Sequence, residues 1–307
     1  MLLLGLQFGG ITYPWDSPHV ICLIIFGSLL MSAFVFTEWR VGKDQIKIPI
    51  IPVHIFKHRS TLAVLVCFFI HGIIGVAPYY YLPLFFQTVR SATPTLSGVY
   101  ILPMVLASSF ASIFTGIFTK VTGRVVEPML LGFALSTLGL GLFINLNELS
   151  SWAKLIVYQL IYGIGLGPNY IAPILAVQRV VRPKEIAIAT STLGFSRQLG
   201  SSVSLVVGGI IFQSQMQKHI PVLMAALGPE AAQRFAGSNA EASGGFIASL
   251  NGPEKQMVQK IYASSLQPMY YFYVAISGLS LIMSFLVGKL RTLGRLECVF
   301  AITNRNA

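Results

Sequence analysis

Charge is what this sequence has least of. Only 10% of its 307 residues are Asp, Glu, Lys or Arg, where a soluble domain carries about 25%. That shortage excludes an ordinary cytosolic enzyme, a disordered chain and a free nucleic-acid binder. Acid is scarcer than base, with 10 Asp+Glu against 21 Lys+Arg and a formal net charge of +11. No Asp or Glu falls within the middle of an apolar stretch, since Glu38 and Glu127 lie at ends. An intramembrane carboxylate relay for protons is therefore expected outside this chain, if one is used. The three cysteines, Cys22, Cys67 and Cys298, are too widely spaced for a disulfide framework or a zinc site, so they read as packing residues. A metal-ligand cluster, a phosphate-binding P-loop, a hydrolase elbow and paired carboxylates are also missing. The chain is accordingly not expected to be an enzyme, and no cofactor is expected.

What is present is apolar length, 54% of the residues being hydrophobic. A helix needs about 20 apolar residues to cross about 30 Å of hydrocarbon. Runs free of Asp, Glu, Lys and Arg cover 17–37, 60–89, 91–119, 128–147, 155–178 and 261–288, and the apolar segment 186–212 is interrupted only by Arg197. The expected spans are 19–39, 60–85, 98–119, 127–146, 153–175, 186–212 and 268–288, which makes an all-α, polytopic membrane protein. Residues 1–12 are apolar but would reach only about 18 Å as a helix. They lack the basic start and small-residue cleavage site of a signal peptide, and read as the truncated end of a transmembrane helix.

The connecting segments set an orientation. Loops 40–59, 120–126 and 175–185 together with the tail 289–307 hold 14 Lys+Arg, against two in 13–18, 86–97 and 147–154. By the positive-inside rule the basic loops and the C-terminus are expected in the cytoplasm. That accounts for most of the positive charge without a nucleic-acid partner. The connector 40–59 contains Ile48-Pro-Ile-Ile-Pro52, which cannot be a regular helix. The opposite side is expected to carry the turn-rich loop Tyr13-Pro-Trp-Asp-Ser-Pro18, with an interfacial Trp15. It should also carry a long polar loop, 213–267, punctuated by Gly228-Pro229, Gly244-Gly245 and Gly252-Pro253. Short helices are expected there at 230–235 and 254–263.

Several residues do not suit lipid. Arg197 sits near the middle of its span, where an Arg costs about 2.5–3.5 kcal/mol on an insertion scale. It and Gln198 should face protein or a water-filled cavity. Arg197 is either a substrate or gating contact, or an Arg bonded to helix-end carbonyls or snorkelling to the cytoplasmic side. His71 lies deep in a span and reads as a neutral hydrogen-bonding residue, with proton coupling as the other use. Tyr79-Tyr-Tyr-Leu-Pro-Leu-Phe-Phe-Gln87 closes the second span. There Pro78 and Pro83 each interrupt backbone bonding, which is tolerated only where protein or water replaces it. Part of this run is expected as an interfacial aromatic belt, with Gln87 at a cavity mouth. In Gly163-Ile-Gly-Leu-Gly-Pro-Asn-Tyr170 the glycines Gly163, Gly165 and Gly167 permit close helix contact. Pro168 breaks the helix beside Asn169 and Tyr170, and broken helices at mid-membrane point to transporter sites. Gly200 belongs to a similar small-residue face.

Taken in order, these residues resemble the major facilitator superfamily, and within it the fourteen-helix drug:proton antiporter branch typified by fungal toxin and multidrug efflux pumps. The resemblance is carried by Leu6-Gln-Phe-Gly-Gly10 with Tyr13-Pro-Trp-Asp-Ser-Pro18, by Ile48-Pro with Ile55-Phe-Lys-His-Arg59, and by Tyr80-Tyr-Leu-Pro-Leu-Phe-Phe-Gln87. It continues through Pro94-Thr-Leu-Ser-Gly-Val99 with Leu102-Pro103, Thr122-Gly123, Tyr158-Gln159 with Gly163-Ile-Gly-Leu-Gly167, and Arg197-Gln-Leu-Gly200. It implies a C-terminal half: a helix end at 1–12, a linker helix and cytoplasmic connector at 13–59, a six-helix transporter bundle at 60–288 and a cytoplasmic tail at 289–307. It further implies efflux of small organic compounds, proton-coupled in the full-length form, across the plasma membrane, with a vacuolar membrane as the alternative. The partners implied are the lipid bilayer, a small organic substrate, protons, and a missing N-terminal bundle supplied in cis or in trans. The cavity candidates are His71, Tyr79, Gln87, Asn169, Tyr170, Arg197 and Gln198. The packing and gating candidates are Pro78, Pro83, Gly163, Gly165, Gly167, Pro168 and Gly200. Two other readings stand beside this one, a seven-helix receptor and a half-transporter that works as one subunit of a dimer.

Overall fold

The structure, a computed structural model, describes residues 1–9, 13–14, 16–41, 59–237, 240, 243–250 and 252–287. Trp15, the prolines of the connector, Cys298 and the tail 289–307 lie outside the described residues. The elements are helices α1 (Leu2–Phe8), α2 (Pro18–Val41), α3 (Arg59–Thr88), α4 (Pro94–Tyr100) and α5 (Leu102–Thr122). They continue with α6 (Val126–Phe143), α7 (Trp152–Leu166), α8 (Pro168–Gln178), α9 (Ile186–Leu227), α10 (Pro229–Gln233), α11 (Gly244–Ser249) and α12 (Gly252–Val287). Among the described residues there is no strand, only an isolated bridge between Gly9 and Tyr13. Seven segments are long and apolar enough to cross a membrane, from Pro18–Glu38 to Gly252–Phe285. The chain is an all-α, multi-pass membrane protein.

Local chemistry sets the helix ends. Thr93 and Ser151 stand at N-caps, each accepting from a backbone N–H three residues on, Leu96 and Lys154, both at 3.3 Å. Gly123 ends α5 at φ 71°, with its N–H on the Thr119 carbonyl. Arg179, at the end of α8, donates to the carbonyls of Gly123 and Thr119. A cation on the last carbonyls of α5 complements that helix's negative end and ties two spans together. At the far end of α3, Arg90 donates to the Ser150 carbonyl and lies over the Trp152 ring at 5.6 Å. Burial lowers its pKa from the ordinary value, and those two contacts offset the lost hydration.

Helix α3 is the axis of the bundle. The buried share of its apolar span is 72%, against 11% for the Pro18–Glu38 span at the periphery. It packs on α8, α9 and α12. Its crossing with α9 is backbone on backbone: a Cβ at Gly72 would run into the Arg197 carbonyl, and one at Gly200 into the Phe69 carbonyl. Hydroxyls line the same seam. Ser201 Oγ donates to the Gly72 carbonyl at 3.2 Å and Ser204 Oγ to the Ile73 carbonyl at 2.6 Å, while Tyr273 of α12 donates to the Ser204 carbonyl at 2.9 Å. Without water, such bonds and close packing are what hold spans together.

The segment 213–267 departs from expectation. Instead of a polar loop it is largely helix, because α9 runs on to Leu227 and α12 begins at Gly252. Helix α9 has 42 residues, about 63 Å at 1.5 Å per residue and twice the hydrocarbon thickness. Met216, Ile220 and Leu223 form a buried stripe on its extension. Next to them Phe212 and Phe235 each pack on Tyr262, with centroids 5.8 and 6.0 Å away, and the Tyr262 hydroxyl donates to the Ala240 carbonyl at 2.7 Å. The hydrophobic core of the bundle therefore continues into this segment, hidden in the sequence by the Gln and Lys residues of the exposed face. The breakers do act at Gly228 and Gly252, which take φ values of 83° and 66°.

Candidate functional site

Three helices that meet at the α3–α9 crossing bring four of the seven cavity candidates together. Arg197 of α9 places its guanidinium 4.3 Å from the Tyr170 ring centroid and donates from Nη2 to the same residue's hydroxyl. The Tyr170 ring on α8 meets His71 of α3 edge to face, with centroids 4.6 Å apart at 82°. His71 in turn stacks on Phe68 at 5.7 Å and 6°. Tyr79, two turns along α3, shares a hydrogen bond with Ser108 Oγ of α5 at 3.3 Å and lies within electrostatic reach of Tyr170 and Arg197. His71 is fully buried, whereas Tyr79, Tyr170 and Arg197 are half-buried.

The cluster is under-satisfied. The His71 Nδ1 and Nε2 atoms have no partner in hydrogen-bonding geometry, although the Leu166 backbone is close by. Arg197 Nε is buried and likewise unpaired. A buried donor left without a partner costs about 1–3 kcal/mol, and most buried polar atoms avoid that cost. Arg197 does not bond to helix-end carbonyls among the described residues, a role taken instead by Arg179. Its positive charge is met by an aromatic face, worth about 0.5–2 kcal/mol, and makes no ion pair with a described carboxylate.

The other candidates are placed elsewhere. Asn169 turns toward α6 and α7: its Nδ2 donates to the Gly165 carbonyl at 3.1 Å, and it blocks the space a Cβ at Gly132 would need. Successive helical residues point about 100° apart, which separates Asn169 from Tyr170. Gln87 is 16 positions beyond His71 on α3, about 24 Å along the axis, and donates to Ser97 Oγ at 2.9 Å. Gln198 is exposed. Of the packing candidates, Gly163 sits against Met104 and Ala107, Gly167 against Ser108 and Ala111, and Gly165 against Leu135 and Ser136. The α7–α8 segment is thus wedged between α5 and α6. Pro168 opens α8, but Gly167 keeps right-handed helical angles (φ −54°, ψ −52°), so the break is a kink rather than an unwound segment. Pro83 is half-buried within a continuous α3.

Pro78 exposes a residue that the sequence reading missed. A proline has no N–H for the carbonyl four residues back, here Ile74. Tyr162 of α7 supplies the donor, its hydroxyl reaching the Ile74 carbonyl at 2.7 Å in a fully buried contact. The orphaned carbonyl was predictable from Pro78; the identity of the donor was not.

A cavity of about 850 Å³ lies on the other flank of α9, between α1, α2 and α3. Phe34, Phe69, Phe195 and Leu199 line it with Ser191 and Thr192, and Arg197 does not. With almost no polar group to orient a ligand, it is a poor candidate for a specific site. Among the described residues no three His, Cys, Asp or Glu side chains converge on a metal position.

An all-helical, multi-pass bundle with a cationic-aromatic cluster at its most buried crossing has the form of a membrane transporter domain. The sequence model of the Major Facilitator Superfamily matches residues 2–205, and the chain belongs to that family. It is 43% identical over 290 residues to the MFS-type transporter ppz2 of Metarhizium majus, covering 94% of this chain and 49% of that protein. It is 41% identical over 289 residues to the efflux pump dotC of Dothistroma septosporum, again covering 94% of this chain and 49% of that one. The chain spans about half the length of these relatives. In fold it resembles a crystal structure of a bacterial homologue of the human lysosomal transporter Spinster, inward-facing and occupied. The TM-score is 0.59 at 15% identity, covering 76% of this chain and 50% of that one. Family membership removes the receptor reading.

Proposed function

We propose that this chain forms the substrate-binding bundle of an efflux transporter for small organic molecules, and that His71, Tyr79, Tyr170 and Arg197 line its cavity. The observation that carries this reading is the half-buried, unpaired cluster around Arg197, held at a bundle crossing where an unmatched cation is expensive. The efflux pump dotC, 41% identical, supports the direction of transport. Alternating access takes two bundles rocking about a central site. The competent unit in this reading therefore includes a second bundle, carried on the same polypeptide or on another copy. No Asp or Glu lies mid-span here, so proton coupling, if used, rests on carboxylates of that second bundle. The bias of Lys and Arg supports a cytoplasmic C-terminus, and the plasma membrane follows from outward efflux.

The test is export of a fluorescent substrate from yeast lacking its own pumps, expressing the chain together with a second bundle, as wild type or Arg197→Ala. Arg197→Ala should lower the export rate at least about tenfold, the size expected for losing one charge-assisted contact, at equal membrane abundance. Unchanged export at equal abundance would remove Arg197 from the site.

A further inference from the structure

Among the described residues Arg197 is a cation without an anion. Of the five N–H donors on a guanidinium, its one side-chain bond among the described residues goes to the Tyr170 hydroxyl, and Nε has no partner. The Tyr170 oxygen accepts from Arg197, so its own hydrogen remains available to donate. Cation and hydroxyl are therefore adjacent donors on two half-buried residues. The surroundings are aromatic: the Tyr170 ring lies under the guanidinium, Tyr79 is nearby on α3, and Phe68 and His71 form the wall behind. Tyr79 spends its hydroxyl on Ser108, which leaves its ring as the surface on offer. A charge taken from water needs a paired countercharge, and a carboxylate is the group whose geometry best matches a guanidinium.

We propose that the site selects a small organic anion, a carboxylate carried on a planar aromatic body. The carboxylate lies against Arg197 and the Tyr170 hydroxyl, and the ring lies against Tyr79. This deepens the substrate-cavity reading above and rests on it. The competing occupant is a protein carboxylate from outside the described residues, which would close the same donors to a ligand.

The full 307-residue chain, in nanodiscs of zwitterionic phosphatidylcholine, is titrated by equilibrium dialysis with three probes of one shape: 1-naphthoate, 1-naphthamide and 1-naphthylmethylammonium. Empty discs supply the partitioning background. Naphthoate should bind about tenfold or more tighter than the amide, and the ammonium weakest. Arg197→Gln should erase that preference, and Arg197→Lys should keep part of it. Tyr170→Phe removes only a hydroxyl, so it folds if anything does; it should weaken naphthoate several-fold and spare the amide. Matching helicity and elution volume establish that each variant is folded. Equal binding of all three probes, or a naphthoate preference that survives Arg197→Gln, overturns the anion inference and leaves the cavity standing. Failure of every probe to bind, both to the chain alone and to the chain reconstituted with a second bundle, overturns the cavity reading itself.

Discussion

Replacing Tyr162 by Phe deletes a single oxygen, yet it should be among the more damaging conservative changes in the bundle. Its hydroxyl lies 2.7 Å from the Ile74 carbonyl, fully buried, and Pro78 has removed the N–H that would otherwise serve that carbonyl. An abandoned buried acceptor costs about 1–3 kcal/mol, while interhelical bonds in membranes average about 0.6 and reach about 1.7 kcal/mol. The upper part of the membrane range, about 1–1.7 kcal/mol, applies because this carbonyl lacks its helical partner. The decisive control is Pro78→Ala, which restores an amide N–H aimed at Ile74. In the Pro78→Ala background Tyr162→Phe should cost less, by about 1 kcal/mol, since the carbonyl keeps a donor. The four proteins of this double-mutant cycle are compared by reversible unfolding from lipid bicelles into denaturing detergent, following helicity. Packing lost with the proline ring appears on both arms and cancels. A Tyr162→Phe penalty of the same size in both backgrounds would refute the argument that the tyrosine repairs the proline's break.

Two further outcomes follow from the packing. Gly200→Ala places a methyl group against the Phe69 carbonyl and should destabilise by about 1–3 kcal/mol. Gly194→Ala on the same helix, where a Cβ meets open space, should be neutral or stabilising by up to about 1 kcal/mol; thermal unfolding in one detergent ranks the pair, and the reverse order would contradict the close α3–α9 crossing. Ser151→Ala removes the cap on the Lys154 amide and should cost about 1 kcal/mol, whereas Ser151→Asp should retain stability, as read by the same melts.

All seven spans were legible because the rule behind them is strict: charge is excluded from hydrocarbon, so charge-free runs mark helices. The seventh needed the judgement that Arg197 would find protein, and Tyr170 is the partner it found. That partner was not legible, since it lies 27 residues away on another helix and depends on how α8 and α9 are rotated. The same unknown phase made Asn169 and Tyr170 look equivalent as neighbours of Pro168, although they face different helices. Polarity alone marked Gln87 as a residue of the cavity mouth; its depth along α3 puts it near Ser97, far from His71, a distance that polarity does not encode. The stretch 213–267 looked like a loop because its mean polarity concealed a stripe of Met216, Ile220 and Leu223 at helical spacing. Average composition cannot separate a solvated helix face from a coil, whereas the glycine stops at Gly228 and Gly252 depend only on local backbone sterics and were read directly.

Helix α9 runs on well past the length a bilayer needs. From Arg197 to Phe212 it contains no proline, Pro221 coming later, and the two residues are 15 positions apart, about 22 Å along the axis. The aromatic cluster and the guanidinium thus sit on one proline-free stretch of a single helix. A tilt of about 5° pivoting at Arg197 sweeps Phe212 through about 2 Å over that length, enough to disturb its contact with Tyr262. Load applied to that aromatic cluster, by a neighbouring protein or an antibody fragment, is carried to Arg197 along the helix, and movement of Arg197 is written on the cluster.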